Sequence, residues 1–174
     1  MTKIHTENYS RPDPFKYRDT PDDWLRLALV RDILLAHERI PALPYRTALD
    51  IGAGEGFITD SLPAVDKWGF DVSADAMERF PPTVSRFDPV LNSAKKFDLI
   101  CAMGVLYPFY ETSRIRYWMA KHRHELTHFL IAGVPDWEQG IEVITDDLGV
   151  RLVKTVDIRP YRAYPCQRIR LYKP

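Results

Sequence analysis

The chain has 174 residues, and 24 lysines and arginines are matched by 24 aspartates and glutamates, so its formal net charge is zero. That length suits one domain with a buried core, and the charge balance argues against a general nucleic-acid or membrane-surface binder. No apolar run approaches the roughly 20 residues that a membrane span needs, and "MTKIHTENYSRPDPF" lacks the apolar core of a signal peptide.

Residues 1–20 are polar, with Pro12, Pro14, Tyr9 and Tyr17, and read as a flexible N-terminal arm ahead of a single domain at 21–174. "TPDDWLRLALVRDILLAHERI" predicts a helix: Thr20 is placed to cap it, Pro21 stands at its first position, and Asp22 and Asp23 face its dipole. Its helical spacing gives Trp24, Leu27, Ala28, Leu34 and Leu35 as the inward face, with Arg31 as an exception. "RTALDIG" predicts a strand, "GFITDSLP" a short helix, "KWGFDV" a second strand, "SADAMERF" a short helix and "TVSRFD" a third strand. "FDLICAMGVL" is almost continuously apolar, as a strand covered on both faces should be. A helix in "SRIRYWMAKHRHEL", a strand in "HFLIAGVP" and a helix in "WEQGIEVITDDLG" follow. "VRLVKTVDI" and "QRIRLYKP" close the chain as two strands around the turn "RPYRAYP". They are too close for a helical crossover, so they should pair antiparallel, with the first of them parallel to its neighbours. Cys101 and Cys166 stand in no paired spacing and read as two buried thiols, which suits a reducing, cytoplasmic setting.

Strands and helices alternate from Thr47 onward, which predicts a mostly parallel sheet with helices on both faces. Chemistry concentrates in "TALDIGAGEGFITDSLP", where Gly52, Gly54 and Gly56 alternate directly after the first strand. Each glycine lets the backbone approach a ligand or take a positive φ. A dinucleotide site would prefer G-x-G-x-x-G with a pyrophosphate on the helix. The order here is one residue tighter, and Asp50 leads it: a carboxylate unwelcome beside a pyrophosphate but welcome beside an ammonium.

This motif resembles motif I of the class I S-adenosylmethionine-dependent methyltransferases. Asp71 in "KWGFDVS", Asp88 in "SRFDPV" and Met103 in "FDLICAMGVLYPF" extend the resemblance in order, over about residues 45–174. "DPF…W" in the arm and "VLYPF" are most similar to the nodulation-type, sugar-modifying branch. The resemblance implies a three-layer Rossmann-like fold, a mostly parallel sheet closed by an antiparallel C-terminal hairpin. It implies S-adenosylmethionine as cofactor, with S-adenosylhomocysteine as product. The residues it assigns to the cofactor are Asp50, Gly52, Ala53, Gly54, Gly56, Asp71, Val72, Asp88 and Met103. In the family the acid at the position of Asp71 accepts the ribose hydroxyls, and that at Asp88 lies near the adenine amino group. Two departures stand out. Only Pro89 to Lys96 join the third and fourth strands, so the usual helix there must be reduced or absent, and no "GG" turn precedes the fifth strand.

His124 to His128 spell "HELTH", a match to a zinc-peptidase pattern with Glu125 as general base. Its context argues otherwise. His128 abuts the strand "FLIAGV", on the amino edge of the sheet, whereas such sheets bind ligands at the carboxyl edge. A solvated histidine cluster without metal is the expectation. At the carboxyl edge, Tyr107, Tyr110, Arg162 and Tyr164 are candidates to contact an acceptor, and Glu111 and Asp136 are the candidate general bases. Arg162 would suit an anionic acceptor.

The sequence thus predicts a methyltransferase acting on a small polar molecule, with the amine of a sugar-containing metabolite as acceptor, and with no nucleic acid or membrane as partner. Two alternatives stand beside it: an O-methyltransferase on a sugar or other small hydroxyl acceptor, and a silent module that binds the cofactor without turnover. The oligomeric state is not readable from the sequence.

Overall fold

In the computed structural model, which describes residues 12–13, 16, 18–36, 45–103, 127–133, 138–162 and 165–174, regular structure begins with α1, Pro21–Leu35. Then come β1 (Tyr45–Ile51), α2 (Phe57–Ser61), β2 (Ala64–Phe70), α3 (Ala74–Glu78) and β3 (Val84–Arg86). The chain continues through β4 (Leu99–Met103), β5 (His128–Gly133), α4 (Glu138–Leu148), β6 (Arg151–Ile158) and β7 (Gln167–Lys173). The helix expected in "SRIRYWMAKHRHEL" lies outside the described residues.

The strands form one sheet in the order β3-β2-β1-β4-β5-β7-β6. The pairs β2–β3, β1–β2, β1–β4 and β4–β5 are parallel, whereas β7 runs antiparallel to both β5 and β6. One expectation is corrected here. β6 does not lie beside parallel neighbours, because β7 inserts between it and β5, leaving β6 on the edge. The turn after β6 still falls on the carboxyl edge, since Gly133 at the end of β5 pairs with Arg168 at the start of β7.

Alternation along the strands divides the core into two layers. Ala48, Leu99, Cys101, Leu130 and Ile169 pack on one face with Leu27, Val30, Ile33 and Leu34 of α1 and Ile58 of α2. Leu49, Ile51, Ile100, Phe129 and Ile131 pack on the other with Ile141 and Leu148 of α4. This is the three-layer arrangement expected.

The inward face of α1 differs from the expected one. Asp23, Arg26, Leu27, Val30, Ile33 and Leu34 are buried, while Trp24 is 52% exposed. Two buried charges disguise the hydropathic period, which pushed the sequence reading out of phase. Thr20 does occupy the N-cap position, but its hydroxyl donates to the Lys16 carbonyl instead of capping the helix. Between β3 and β4 no helix forms. Asp88 Oδ1 accepts from the backbone N–H groups of Val90 at 2.7 Å and Leu91 at 3.0 Å, and a run of turns reaches β4.

His128 is also not a solvated residue. It opens β5 fully buried, with Nδ1 2.7 Å from the Tyr45 hydroxyl. His124 and Glu125 lie outside the described residues, among which no group of His, Cys, Asp and Glu is arranged to hold a metal. Among those residues, too, no helix is long and apolar enough to cross a membrane.

Candidate functional site

At the carboxyl end of β1 the chain leaves the sheet through a loop whose glycines are all left-handed, with φ of 75° at Gly52, 57° at Gly54 and 81° at Gly56. An L-residue with a side chain adopts such angles only at a cost, so the alternate glycines are what the path requires. The loop is pinned from below: Gly52 N and Ala53 N both donate to the Phe70 carbonyl, at 2.7 and 3.0 Å. Behind it stands Phe80. A Cβ on Gly69 would lie 2.7 Å from two Phe80 ring carbons, and one on Gly56 would lie 3.0 Å from Pro81 Cδ. Glycine at 69 therefore lets β2, the loop and the Phe80 ring close on one another.

Asp50 pairs in register with Gly69 on β2 and Cys101 on β4, which buries it between two strands. Its Oδ2 accepts from the Thr59 hydroxyl at 2.7 Å, whereas its buried Oδ1 has no hydrogen-bond partner. Burial raises its pKa from 3.8 to about 7; the Thr59 hydrogen bond and the Arg26 charge oppose that rise, and the Asp71 charge adds to it. A buried carboxylate oxygen without a hydrogen-bond partner is costly, and a cation beside it would offset that cost.

Asp71 lies just past β2 and is buried. Its Oδ2 accepts from Gly54 N at 2.8 Å and its Oδ1 from Ser73 N at 2.9 Å. Burial raises its pKa, opposed by these backbone donors and by Val72 N. The carboxylate thus ties the loop to the end of β2 and retains further acceptor capacity on both oxygens. Val72 beside it is 52% exposed, an apolar surface at the same edge. Met103, at the end of β4, is buried.

The structure brings Asp50, Gly52, Ala53, Gly54 and Met103 around one pocket, with Phe57, Ile58 and Arg26 completing its lining. Arg26 was not among the residues singled out in the sequence. It sits on α1, a helix read as scaffold, and only its burial within a charged patch could have flagged it. Asp88 stands at the carboxyl edge as expected, and its Oδ1 closes the turn after β3. Arg162 was expected to face an acceptor. Instead its backbone N–H donates to Asp22 Oδ2 at 2.7 Å and its Nε to Asp23 Oδ2 at 2.9 Å, so its charge belongs to α1. Tyr107, Tyr110, Glu111, Asp136 and Tyr164 lie outside the described residues.

The arm reaches the same loop. Glu55, between two of the glycines, accepts from Asp13 N at 2.9 Å and from Arg79 Nε at 2.7 Å. Trp24 Nε1 donates to the Arg18 carbonyl, and its ring meets Phe57 edge-on with centroids 5.1 Å apart.

No protein-family model matches the chain, and no curated protein sequence matches it. Solved structures do. The fold, with its reversed seventh strand and its glycine loop after β1, is that of the class I S-adenosylmethionine-dependent methyltransferases. The N-methyltransferase NodS from Bradyrhizobium japonicum WM9, in complex with S-adenosylhomocysteine, matches at a TM-score of 0.73 and 19% identity, over 95% of this chain and 94% of that one. Magnesium protoporphyrin IX methyltransferase from Synechocystis PCC 6803, also with bound S-adenosylhomocysteine, gives 0.64 and 14%, over 88% and 84%. A putative RNA methyltransferase from Pyrococcus horikoshii gives 0.63 and 13%, over 89% and 85%.

Proposed function

We propose that this chain is an S-adenosylmethionine-dependent methyltransferase acting on a small polar acceptor. The observation that carries the reading is the loop after β1: three left-handed glycines between a buried acid with one unbonded oxygen and a second acid at the next strand end. Asp50 would hold the donor's ammonium, and Asp71 would accept from the ribose hydroxyls beside Gly54. Val72 would offer its exposed side chain to the adenine. Asp88 contributes by shaping the turn that replaces the helix next to that base. When bound, the donor supplies an electrophilic methyl group on a sulfonium; the protein's own task is to orient the donor and exclude water.

The methyltransferases of this fold named above include an N-methyltransferase, a magnesium protoporphyrin IX methyltransferase and a putative RNA methyltransferase, so the fold does not choose the acceptor. Supporting a small acceptor are the balanced charge of the chain and the tyrosines that the sequence places after β4 and in the final turn. We assign the amine of a sugar-containing metabolite as the acceptor class, because a neutral amine needs no dedicated base and no histidine stands in the stretches "YPFYE", "VPDWE" or "RPYRAYP". The unpaired, buried Cys101 and Cys166 suit a reducing compartment such as the cytoplasm. The test is incubation of the purified chain with S-adenosylmethionine and a panel of amino sugars, sugars and small amines, read by mass spectrometry. A gain of about 14 Da on an amine, with matching release of S-adenosylhomocysteine, is the expected result. A gain confined to hydroxyl acceptors would make the chain an O-methyltransferase, and binding without any transfer would leave it a cofactor-binding module.

A further inference from the structure

Two guanidiniums meet one carboxylate where β6 ends and β7 begins. Arg168 donates to Asp157 through Nε, 2.7 Å from Oδ1, and Nη2, 3.3 Å from Oδ2. Arg159 reaches the same Oδ2 through Nε at 3.2 Å and Nη2 at 2.5 Å. The Arg168 hydrogen bond, aided by that of Arg159, lowers the Asp157 pKa to about 2 against the effect of burial, so this carboxylate is ionised at neutral pH. One negative charge thus fixes two positive ones, and the cluster carries a positive charge in excess. The neighbouring arginines are committed elsewhere. Arg162 and Arg26 both lean on Asp23, which lies 3.2 Å from Arg26 Nη2 and also accepts from the Tyr161 hydroxyl at 2.7 Å. The Arg26 guanidinium carbon stands 5.5 Å from the centre of the Tyr161 ring. Those charges are turned to α1, whereas the Arg159 side chain is 65% exposed.

Arg168 pairs across the sheet with Asp157 on β6 and with Gly133 at the end of β5, which sets the cluster on the carboxyl edge, the edge of the glycine loop. In the order β1-β4-β5-β7 the arginines stand three strand spacings from β1, roughly 14 Å along that edge. A methyl donor on the loop and an acceptor of sugar size beside it would bridge such a distance. Asp157 grips each guanidinium from its Nε–Nη2 side, so both Nη1 sides face away from it. Planar guanidiniums held in place present paired donors to a carboxylate or phosphate at little ordering cost. We infer that Arg159 and Arg168 bind an anionic substituent, phosphate or carboxylate, of the methyl acceptor, the role that Arg162 does not fill. This inference rests on the methyltransferase reading and narrows its acceptor to an amine carried on an anionic small molecule.

Two measurements test it. In isotopically labelled protein, the arginine Nε–H resonances are followed as inorganic phosphate is added, with sodium chloride at matched ionic strength as the control. Those of Arg159 and Arg168 should shift and saturate with phosphate alone, while that of Arg162 stays in place. Methyl transfer is then compared among glucosamine, glucosamine 6-phosphate and muramic acid, amino sugars bearing no anion, a phosphate and a carboxylate. At least one anionic sugar should exceed glucosamine by about tenfold or more in kcat/KM, through a lower KM. Arg159→Gln should cut that preference by about threefold and Arg168→Gln by about fivefold. S-adenosylhomocysteine should bind both variants as it binds the wild type, which also reports that they are folded. If Arg168→Gln does not fold, Arg159→Gln carries the test. Phosphate shifts no larger than those with chloride, methylation that ignores or avoids the anion, or a preference that the variants retain would overturn the anion site. The methyltransferase reading would then stand, with Asp157 only clasping the hairpin. If none of the amino sugars, sugars and small amines gains a methyl group, the acceptor reading itself fails and the inference falls with it.

Discussion

Binding of S-adenosylhomocysteine should depend on pH in a way that Asp50 dictates. In the empty pocket, burial between β2 and β4 raises its pKa to about 7. An ammonium against Oδ1 restores the charged form, so binding below that value must expel a proton. A group titrating near 7 is about nine-tenths ionised at pH 8 and about one-tenth at pH 6, so affinity should fall about tenfold between them, or about 1.4 kcal/mol. Folding of the empty protein responds in the opposite sense. Because the native pKa lies above 3.8, the folded chain keeps a proton that the unfolded chain has lost. Stability from this group is fully present below about pH 4, declines as pH rises, and levels off above about 7, a change on the order of 4 kcal/mol. The assay is calorimetric titration at several pH values, in two buffers of different ionisation enthalpy so that proton release is counted. Asp50→Asn should bind more weakly with a flat profile, and 5′-methylthioadenosine should show a flat profile even with the wild type. A wild-type affinity for S-adenosylhomocysteine that does not change between pH 6 and pH 8 would refute the assignment of Asp50.

Asp71→Ala should cost S-adenosylhomocysteine about 1.5–3 kcal/mol of binding, the scale of hydrogen bonds to a charged group; unchanged affinity by calorimetry would remove Asp71 from the site. Gly69→Ala drives a methyl into the Phe80 ring, so thermal melting should show a loss of about 1–3 kcal/mol, partly recovered by adding Phe80→Leu. Recovery that fails to appear would mean that the clash lies elsewhere. Glu55→Ala removes the acceptor of Asp13 N, so limited proteolysis should cut the arm faster than in the wild type while the sheet stays resistant. Added S-adenosylhomocysteine should slow cutting of the wild-type arm, and identical rates in all these samples would reduce the segment to a tail.

The parts of this protein that its sequence announces are those where only one residue type fits. Three glycines at positive φ, an acid at each of two strand ends and a near-continuous apolar β4 have few substitutes, and each reads directly. The phase of α1 was hidden because Asp23 and Arg26 are charged and buried, so hydropathy turned Trp24 inward. Nothing local distinguishes a buried, partnered arginine from a solvated one; the partner Tyr161 stands at the far end of the chain. Arg162 misled for the same reason, since its counter-ion belongs to a helix remote in sequence. The closing hairpin was legible from the short turn, but the insertion of β7 beside β5 depends on sheet pairing that no spacing records. His128 was placed on the amino edge by its strand context, yet its burial against Tyr45 needed the β1–β4–β5 pairing to be seen. Asp88 kept its predicted place and also closes a turn, because a connection too short for a helix needs a side chain to close it.

The central claim is that the loop after β1 and the acid after β2 hold an S-adenosyl compound. It is tested most directly by titrating S-adenosylhomocysteine into isotopically labelled protein and following the backbone amide resonances. The amides of Gly52, Gly54, Gly56, Asp71 and Val72 should shift together and saturate at one equivalent, with those of β6 and the exposed face of α4 unmoved. Shifts centred away from the glycine loop, or none at a large excess of the nucleoside, would contradict the account.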